Sequence, residues 1–186
     1  EAVGPLTASL EDEDDEVRQQ AAWALGAIES PTGVEALIGA MDDPVAAVRE
    51  QAAWALGALE DARAVPALIR AVADEDASVR EQAAWALGAI ESPAGVEALI
   101  GGVGDPVGEV REQAAWALGA IEDRRAVPAL IRAVADEDAS VREQAAWALG
   151  AIGDERAVEA LARALKDENA SVREQAAWAL GVLVER

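Results

Sequence analysis

The sequence predicts an all-α fold, a solenoid of six stacked helical hairpins, and three observations predict it. Tryptophan stands at 23, 54, 85, 116, 147 and 178, each time inside AAWALG, so the 186 residues are six periods of 31. A fixed period between about 20 and 50 residues marks an array whose units bury their apolar faces only against neighbours. Within each period, apolar residues recur at helical spacing in two stripes separated by a polar break. Finally, 52% of the residues are hydrophobic, much of that alanine, which supplies a continuous core in spite of a net charge of −21. The period divides the chain into one elongated array with repeats at approximately 1–30, 31–61, 62–92, 93–123, 124–154 and 155–186.

Residues 62–92, ARAVPALIRAVADEDASVREQAAWALGAIES, show how one repeat is written. Val65, Leu68, Ile69 and Val72 form one stripe of a first helix over about 63–73. ADED interrupts the stripe. Val79, Ala83, Ala86, Leu87 and Ile90 then share one face of a longer second helix over about 75–90, and Val17, Ala21, Ala24, Leu25 and Ile28 do so in the first repeat. Asp74 suits the N-cap of that helix, since a short acid accepts from the orphan amides of the first turn. Aspartate recurs at 12, 43, 105, 136 and 167, and Pro44 and Pro106 follow two of these as expected for a first helical residue. Gly88, with counterparts at 26, 57, 119, 150 and 181, lies inside the second helix. An interior glycine costs about 1 kcal/mol against alanine, so its recurrence predicts close approach of an adjoining helix. A longer period is superposed: residues 30–91 and 92–153 differ at nine positions, as if a two-repeat unit had been amplified.

Composition sets the class of partner. A net charge of −21 repels nucleic acid and anionic membrane surfaces, so neither is expected as a partner. The longest apolar run, AAWALGAI, falls short of the roughly 20 residues that span a bilayer. The absence of cysteine excludes disulfides and fits a reducing, cytoplasmic setting. A single lysine, Lys166, stands among fifteen basic residues, and acids outnumber bases 36 to 15, a balance resembling that of proteins from salt-loving organisms. Stability is therefore expected to rise as salt screens the self-repulsion, and melting temperatures at low and molar salt check it.

Pro66, Asp74 and Arg80, eight and then six residues apart in a helical hairpin, resemble the signature of HEAT repeats. The 31-residue length and the strings VREQAAWALG and IGDERAVEAL resemble the short HEAT-like class of phycocyanobilin lyase subunits, which also includes artificial helical repeat scaffolds. The resemblance covers the whole chain. It implies a right-handed superhelix, with Asp74, Arg80 and their equivalents forming a structural polar ladder along the turns. It also implies a kinked first helix at Pro66 and Pro128, where Glu35, Glu97 and Glu159 hold the other equivalent places. The only activity it offers is that of a bilin lyase-like subunit, and no residue of the repeats marks a bilin site.

The tryptophans point to a candidate surface. At about 100° per residue, Trp23 falls on the far side of its helix from Val17, Ala21, Leu25 and Ile28. Small residues flank it, with Ala22 and Gly26 on one side and Ala24 and Ala27 on the other, where neighbouring second helices would pack. The open direction carries Trp23, Trp54, Trp85, Trp116, Trp147 and Trp178, with Glu50, Glu81, Glu112 and Glu143 one turn earlier and Gln51, Gln82, Gln113 and Gln144 beside them. By the resemblance this strip lines the concave face. Rungs about 8–10 Å apart would meet about every third residue of an extended or polyproline segment. A Glu and a Trp one turn apart seat a Lys or Arg, by a charge-assisted bond and attraction to the indole face. Armadillo-type import receptors use tryptophan ladders for basic peptides, although here Gln and Glu stand where that family has Asn. The alternative is structural, with the indoles lying over neighbouring Ala and Gly to fill the wall.

Catalytic chemistry has few candidates. Without His, Cys or Tyr, most general-base, nucleophile and metal-ligand schemes have no members. Acid clusters such as 74–76 lack the spacing of a calcium loop. The expectation is a non-catalytic, cofactor-free scaffold for a protein or extended, basic peptide, monomeric or associated end to end through uncapped terminal repeats. The other reading is a designed or excised repeat module with no native ligand.

Overall fold

The computed structural model describes residues 2–185 and contains, among them, twelve α-helices and no strand. Two compact units divide the chain, Glu1–Ser92 and Pro93–Arg186, and the boundary falls where the third predicted repeat ends. The first unit holds α1 (Val3–Ser9), α2 (Asp15–Ala27), α3 (Val34–Ala40), α4 (Ala46–Ala58), α5 (Val65–Ala71) and α6 (Ala77–Ala89). The second holds α7 (Val96–Gly102), α8 (Gly108–Ile121), α9 (Val127–Ala133), α10 (Ala139–Ile152), α11 (Val158–Ala164) and α12 (Ala170–Glu185). In each unit the short odd-numbered helix packs on the long even-numbered helix that follows it. The long helices lie side by side in chain order, α2–α4–α6 and α8–α10–α12.

The core is the predicted double stripe. Leu37, Leu68, Leu99, Leu130 and Leu161 of the short helices and Leu25, Leu56, Leu87, Leu118 and Leu149 of the long ones are all fully buried. Removing a leucine side chain from water stabilises by roughly 1.5–3 kcal/mol, so these two rows anchor every hairpin. Ile69 and Ile90 are only partly buried, at the edges of their stripes. Val17 and Ile28, expected in the core, are exposed instead, because no long helix precedes α2 among the described residues.

Three local expectations are corrected. Asp74 does not cap α6; Asp76 does, its side chain accepting from the Ser78 amide. Asp74 accepts from the amide of Asp76, two residues on, in an Asx-type turn that delays the helix start. Asp12, Asp43, Asp136 and Asp167 do the same to Asp14, Val45, Asp138 and Asn169, and Asp105 to Val107. Pro44 and Pro106 consequently lie in the turn and not at the first helical residue, since α4 and α8 begin at Ala46 and Gly108 after Val45 and Val107. The break in the first helix is also not made by proline. A 3-10 turn precedes the α-helix at 31–33, 62–64, 93–95, 124–126 and 155–157, whether Pro66 and Pro128 or Glu35, Glu97 and Glu159 follow.

Five of the long helices, α2, α4, α6, α8 and α10, are closed by a left-handed residue. Glu29, Glu60, Glu91 and Glu122 have φ between 49° and 54°, and Gly153 holds the equivalent place at 67°. A side chain in this region costs roughly 1–2 kcal/mol, so of these five positions Gly153 alone is free of that cost.

Candidate functional site

The tryptophans are positioned by the glycines. Gly26, Gly57, Gly119 and Gly150 are each overlain by the next long helix of the same unit. A Cβ on Gly57 would lie 2.6 Å from Trp85 Cζ3 and 2.8 Å from the Ala86 Cα, distances that real Cβ atoms do not reach. The same holds for Gly26 against Trp54 and Ala55, Gly119 against Trp147 and Ala148, and Gly150 against Trp178 and Ala179. Close approach of the long helices thus requires glycine on one flank and alanine on the other, as the helical geometry predicts. The indole edges of Trp54, Trp85, Trp147 and Trp178 each rest beside the glycine of the preceding long helix.

The same contact decides how much of each ring meets water. Trp54, Trp85, Trp116 and Trp147 are partly buried, neither enclosed within a hairpin nor free of it. Trp23 and Trp178, on the outer long helices, are 50% and 45% exposed. Because Gly57 lies one helical turn after Trp54 and carries Trp85, the rings follow one another across the first unit from Trp23 to Trp85. In the second they run from Trp116 to Trp178.

Glu50, Glu81, Glu112 and Glu143 are partly buried one turn before their tryptophans, and Gln51, Gln82, Gln113 and Gln144 are partly buried beside them. Burial first, and then the charge of Asp76 on the next hairpin, push the Glu50 carboxyl above its ordinary value. A cation delivered next to Trp54 would relieve both effects. Each of these carboxylates lies one helical turn before a tryptophan of the same helix. Among the described residues no group of three acids is placed to hold a metal ion.

The polar ladder implied by the family resemblance is present and lies along the turns. Arg18, Arg49, Arg111 and Arg142 each extend a two-pronged guanidinium to the aspartate 25 residues later. Arg111 donates from Nε and Nη2 to Asp136 at 2.9 and 2.8 Å, and from Nη1 to the Asp105 carbonyl. Arg49 does so with Asp74, Arg18 with Asp43 and Arg142 with Asp167. These arginines bridge one turn to the next, and Arg49, Arg111 and Arg142 are among the few charged side chains counted as buried. Bidentate geometry fixes the angle between hairpins as well as adding energy. Burial pushes the Asp136 carboxyl up, but hydrogen bonds from Arg111 and the Asp138 amide, with the charges of Arg111 and Arg142, leave it below the ordinary value.

A second set of ties escaped the sequence reading. Arg63 clips Asp61 at 2.6 Å and reaches back to Glu35 and the Pro31 carbonyl. Arg125 repeats this with Asp123, Glu97 and Pro93, and Arg156 with Asp154 and the Arg124 carbonyl. The Arg63 and Arg156 guanidinium groups hold Asp61 and Asp154 at about 2. The recurring triplets DAR, DRR and DER at 61–63, 123–125 and 154–156 were the available signal.

Comparison with known proteins places this architecture. The family model of HEAT repeats matches residues 1–50, 40–119 and 96–181. No curated protein sequence matches the chain. Among solved structures, an engineered protein is 26% identical with a TM-score of 0.79, covering 100% of this chain and 97% of its own. The CpcE–CpcF complex of phycocyanin lyase from Nostoc sp. PCC7120 is 25% identical with a TM-score of 0.55, covering 98% and 94%. A designed armadillo repeat protein, in complex with the peptide (KR)4, is 22% identical with a TM-score of 0.77, covering 98% and 100%. No helix among the described residues is long and apolar enough to cross a membrane.

Proposed function

The chain belongs to the HEAT-repeat family, and from that membership we propose that it is a non-catalytic scaffold that holds a basic, extended protein segment along its long helices. The observation that carries the reading is the pairing of a partly exposed indole with a partly buried carboxylate one turn away, as in Trp54 and Glu50. The raised Glu50 carboxyl supports a cationic partner, because an incoming Lys or Arg restores what burial and Asp76 take away. The designed armadillo protein is bound to a Lys-Arg peptide. At its identity that likeness speaks for the fold alone, and the charge of the segment is argued from this chain's own acids.

The structural role of the rings does not compete with this reading. An indole edge wedged against glycine is held in one orientation, which lowers the entropy cost of presenting its face. The test is titration of tryptophan fluorescence with an octapeptide of alternating Lys and Arg at two salt concentrations, well below the melting temperature. Trp85→Ala and Trp116→Ala are each expected to weaken binding by about 1–3 kcal/mol, and the wild-type affinity to fall as salt rises. Unchanged affinity in both variants, with lowered stability, would leave the rings a packing role only.

A further inference from the structure

Two kinds of polar group on the long helices are left unused by the fold. Among the described residues, the indole N–H of Trp54, Trp85, Trp116 and Trp147 and the side-chain amides of Gln51, Gln82, Gln113 and Gln144 enter no hydrogen bond within the protein. No buried side-chain nitrogen or oxygen among those residues lacks a partner. These donors and acceptors are therefore open to solvent, although the residues that carry them are partly buried.

The direction of the indole N–H follows from the glycine contact. Trp54, Trp85 and Trp147 meet Gly26, Gly57 and Gly119 through Cζ3. In an indole, Nε1 is bonded to the ring carbon opposite Cζ3, so the pinned edge turns the N–H away from the contact. Gln51 stands three residues before Trp54 and Glu50 four. At about 100° per residue, the amide lies about 60° to one side of the ring and the carboxylate about 40° to the other. Each rung thus holds a fixed N–H donor between an amide and an anion. The carboxylate suits a cationic side chain. The indole N–H and the glutamine NH2 need acceptors, and neither Lys nor Arg side chains carry one. A peptide main chain does, with a carbonyl at every residue and an N–H for the glutamine oxygen. In a helix those groups bond one another except at the termini, whereas an extended segment leaves them free. Its carbonyls on one side recur every second residue, about 6.8 Å apart. The long helices, whose backbones approach at the glycines, sit near the short end of the roughly 8–10 Å spacing range.

We propose that each unit grips the main chain of its partner segment as well as its charges. The indole N–H donates to a carbonyl, and the neighbouring glutamine amide pairs with a peptide group of the same stretch. This rests on the reading of the tryptophan and glutamate rows as a binding surface. It adds that the recognised class is an extended chain with unprotected amides, to the exclusion of a basic helix of the same composition.

Calorimetric titration of the full chain tests it, with the octapeptide of alternating Lys and Arg and with an analogue whose every second amide is replaced by an ester. The analogue keeps every side chain and charge but loses amide donors and carries weaker carbonyl acceptors. It is expected to bind at least about tenfold more weakly, since two or more main-chain bonds are impaired. Gln82→Met together with Gln144→Met, one in each unit, keeps side-chain length and helix propensity. That chain is expected to bind the peptide about fivefold more weakly and the ester analogue as well as the wild type does. Replacing tryptophan throughout by benzothienylalanine, which keeps the ring and lacks the N–H, is expected to shrink the same ratio, with circular dichroism to monitor folding. Equal affinity of the wild type for peptide and ester analogue, or an undiminished ratio in both altered chains, overturns this proposal and leaves the charge-based reading standing. Binding of neither ligand overturns both.

Discussion

Residues 17–28, VRQQAAWALGAI, and 48–59, VREQAAWALGAL, differ at two positions, yet α2 and α4 have different surfaces. Val48 and Ala55 are fully buried, while Val17 is 39% exposed and Ala24 remains partly open. At the other end α10 and α12 repeat the contrast: Ala146 is fully buried and its counterpart Ala177 is exposed. The two helices of each pair carry nearly the same residues from the valine of the first turn to the glycine of the last, so the difference in burial is made by the neighbour. In such a stack burial is a property of the interface between repeats, and each repeat is stable to the extent that both flanks are covered.

The sharpest way to break the comparison is to obstruct one interface. Gly57→Leu must push Trp85 and Ala86 off α4, and it is expected to destabilise by about 3 kcal/mol or more in denaturant unfolding of the folded monomer. Gly181→Leu, with the same local sequence and an open flank, is expected to leave stability within about 0.5 kcal/mol of the wild type. Equal effects would mean that the glycines act through helix propensity and not through the interface.

Next in size is the arginine ladder. Asp136→Ala strands a guanidinium whose side chain is 9% exposed, and a loss of about 2–3 kcal/mol is expected. Asp12→Ala, at a carboxylate that among the described residues accepts from the Asp14 amide and from no arginine, is expected to cost about 1 kcal/mol or less. Acid makes the same cut by titration. Asp43, Asp74, Asp136 and Asp167 are held below their ordinary value of 3.8, so folding favours the unprotonated form. Their contribution is complete above that value and is lost as pH falls through the lower folded values. The Asp61 and Asp154 clips extend the window down to about 2. Thermal melting from pH 6 to pH 2 is expected to show a steady fall below about pH 4, smaller in the Asp136→Ala chain.

The smallest effect concerns the helix ends. Glu122→Gly removes a Cβ from the left-handed region that Gly153 already occupies without one, and a gain of about 1 kcal/mol is expected. Gly153→Glu is expected to lose about as much. A Glu122→Gly chain that melts no higher than the wild type would show that the flexible unfolded glycine offsets the strain.

Much of the molecule was legible from residues. The two stripes located all ten buried leucines of the paired rows, and the alternation of small residues around Trp23 named both flanks of the long-helix contact. The family motif pointed to Asp74 as a rung. The helix starts were placed two residues too early, because Asp74 binds an amide two residues on and leaves the cap to Asp76. An Asx turn and an N-cap use the same residue type, and only backbone direction separates them. Val17 and Ile28 were assigned to a core by a periodicity that carries no information about whether a neighbour is present. From its clip on Asp61, Arg63 reaches Glu35 and the Pro31 carbonyl, 28 and 32 residues back, a distance over which local pattern says nothing.

The sequence by itself determined the hairpins, their spacing and the residue types on each face, because helical periodicity and a fixed repeat act within one 31-residue unit. Only the tertiary structure decided how far each indole is covered, which arginine meets which aspartate, and which flanks stay open. Those depend on a second surface brought within a few ångströms, and a surface contact is a relation between repeats that no single repeat encodes.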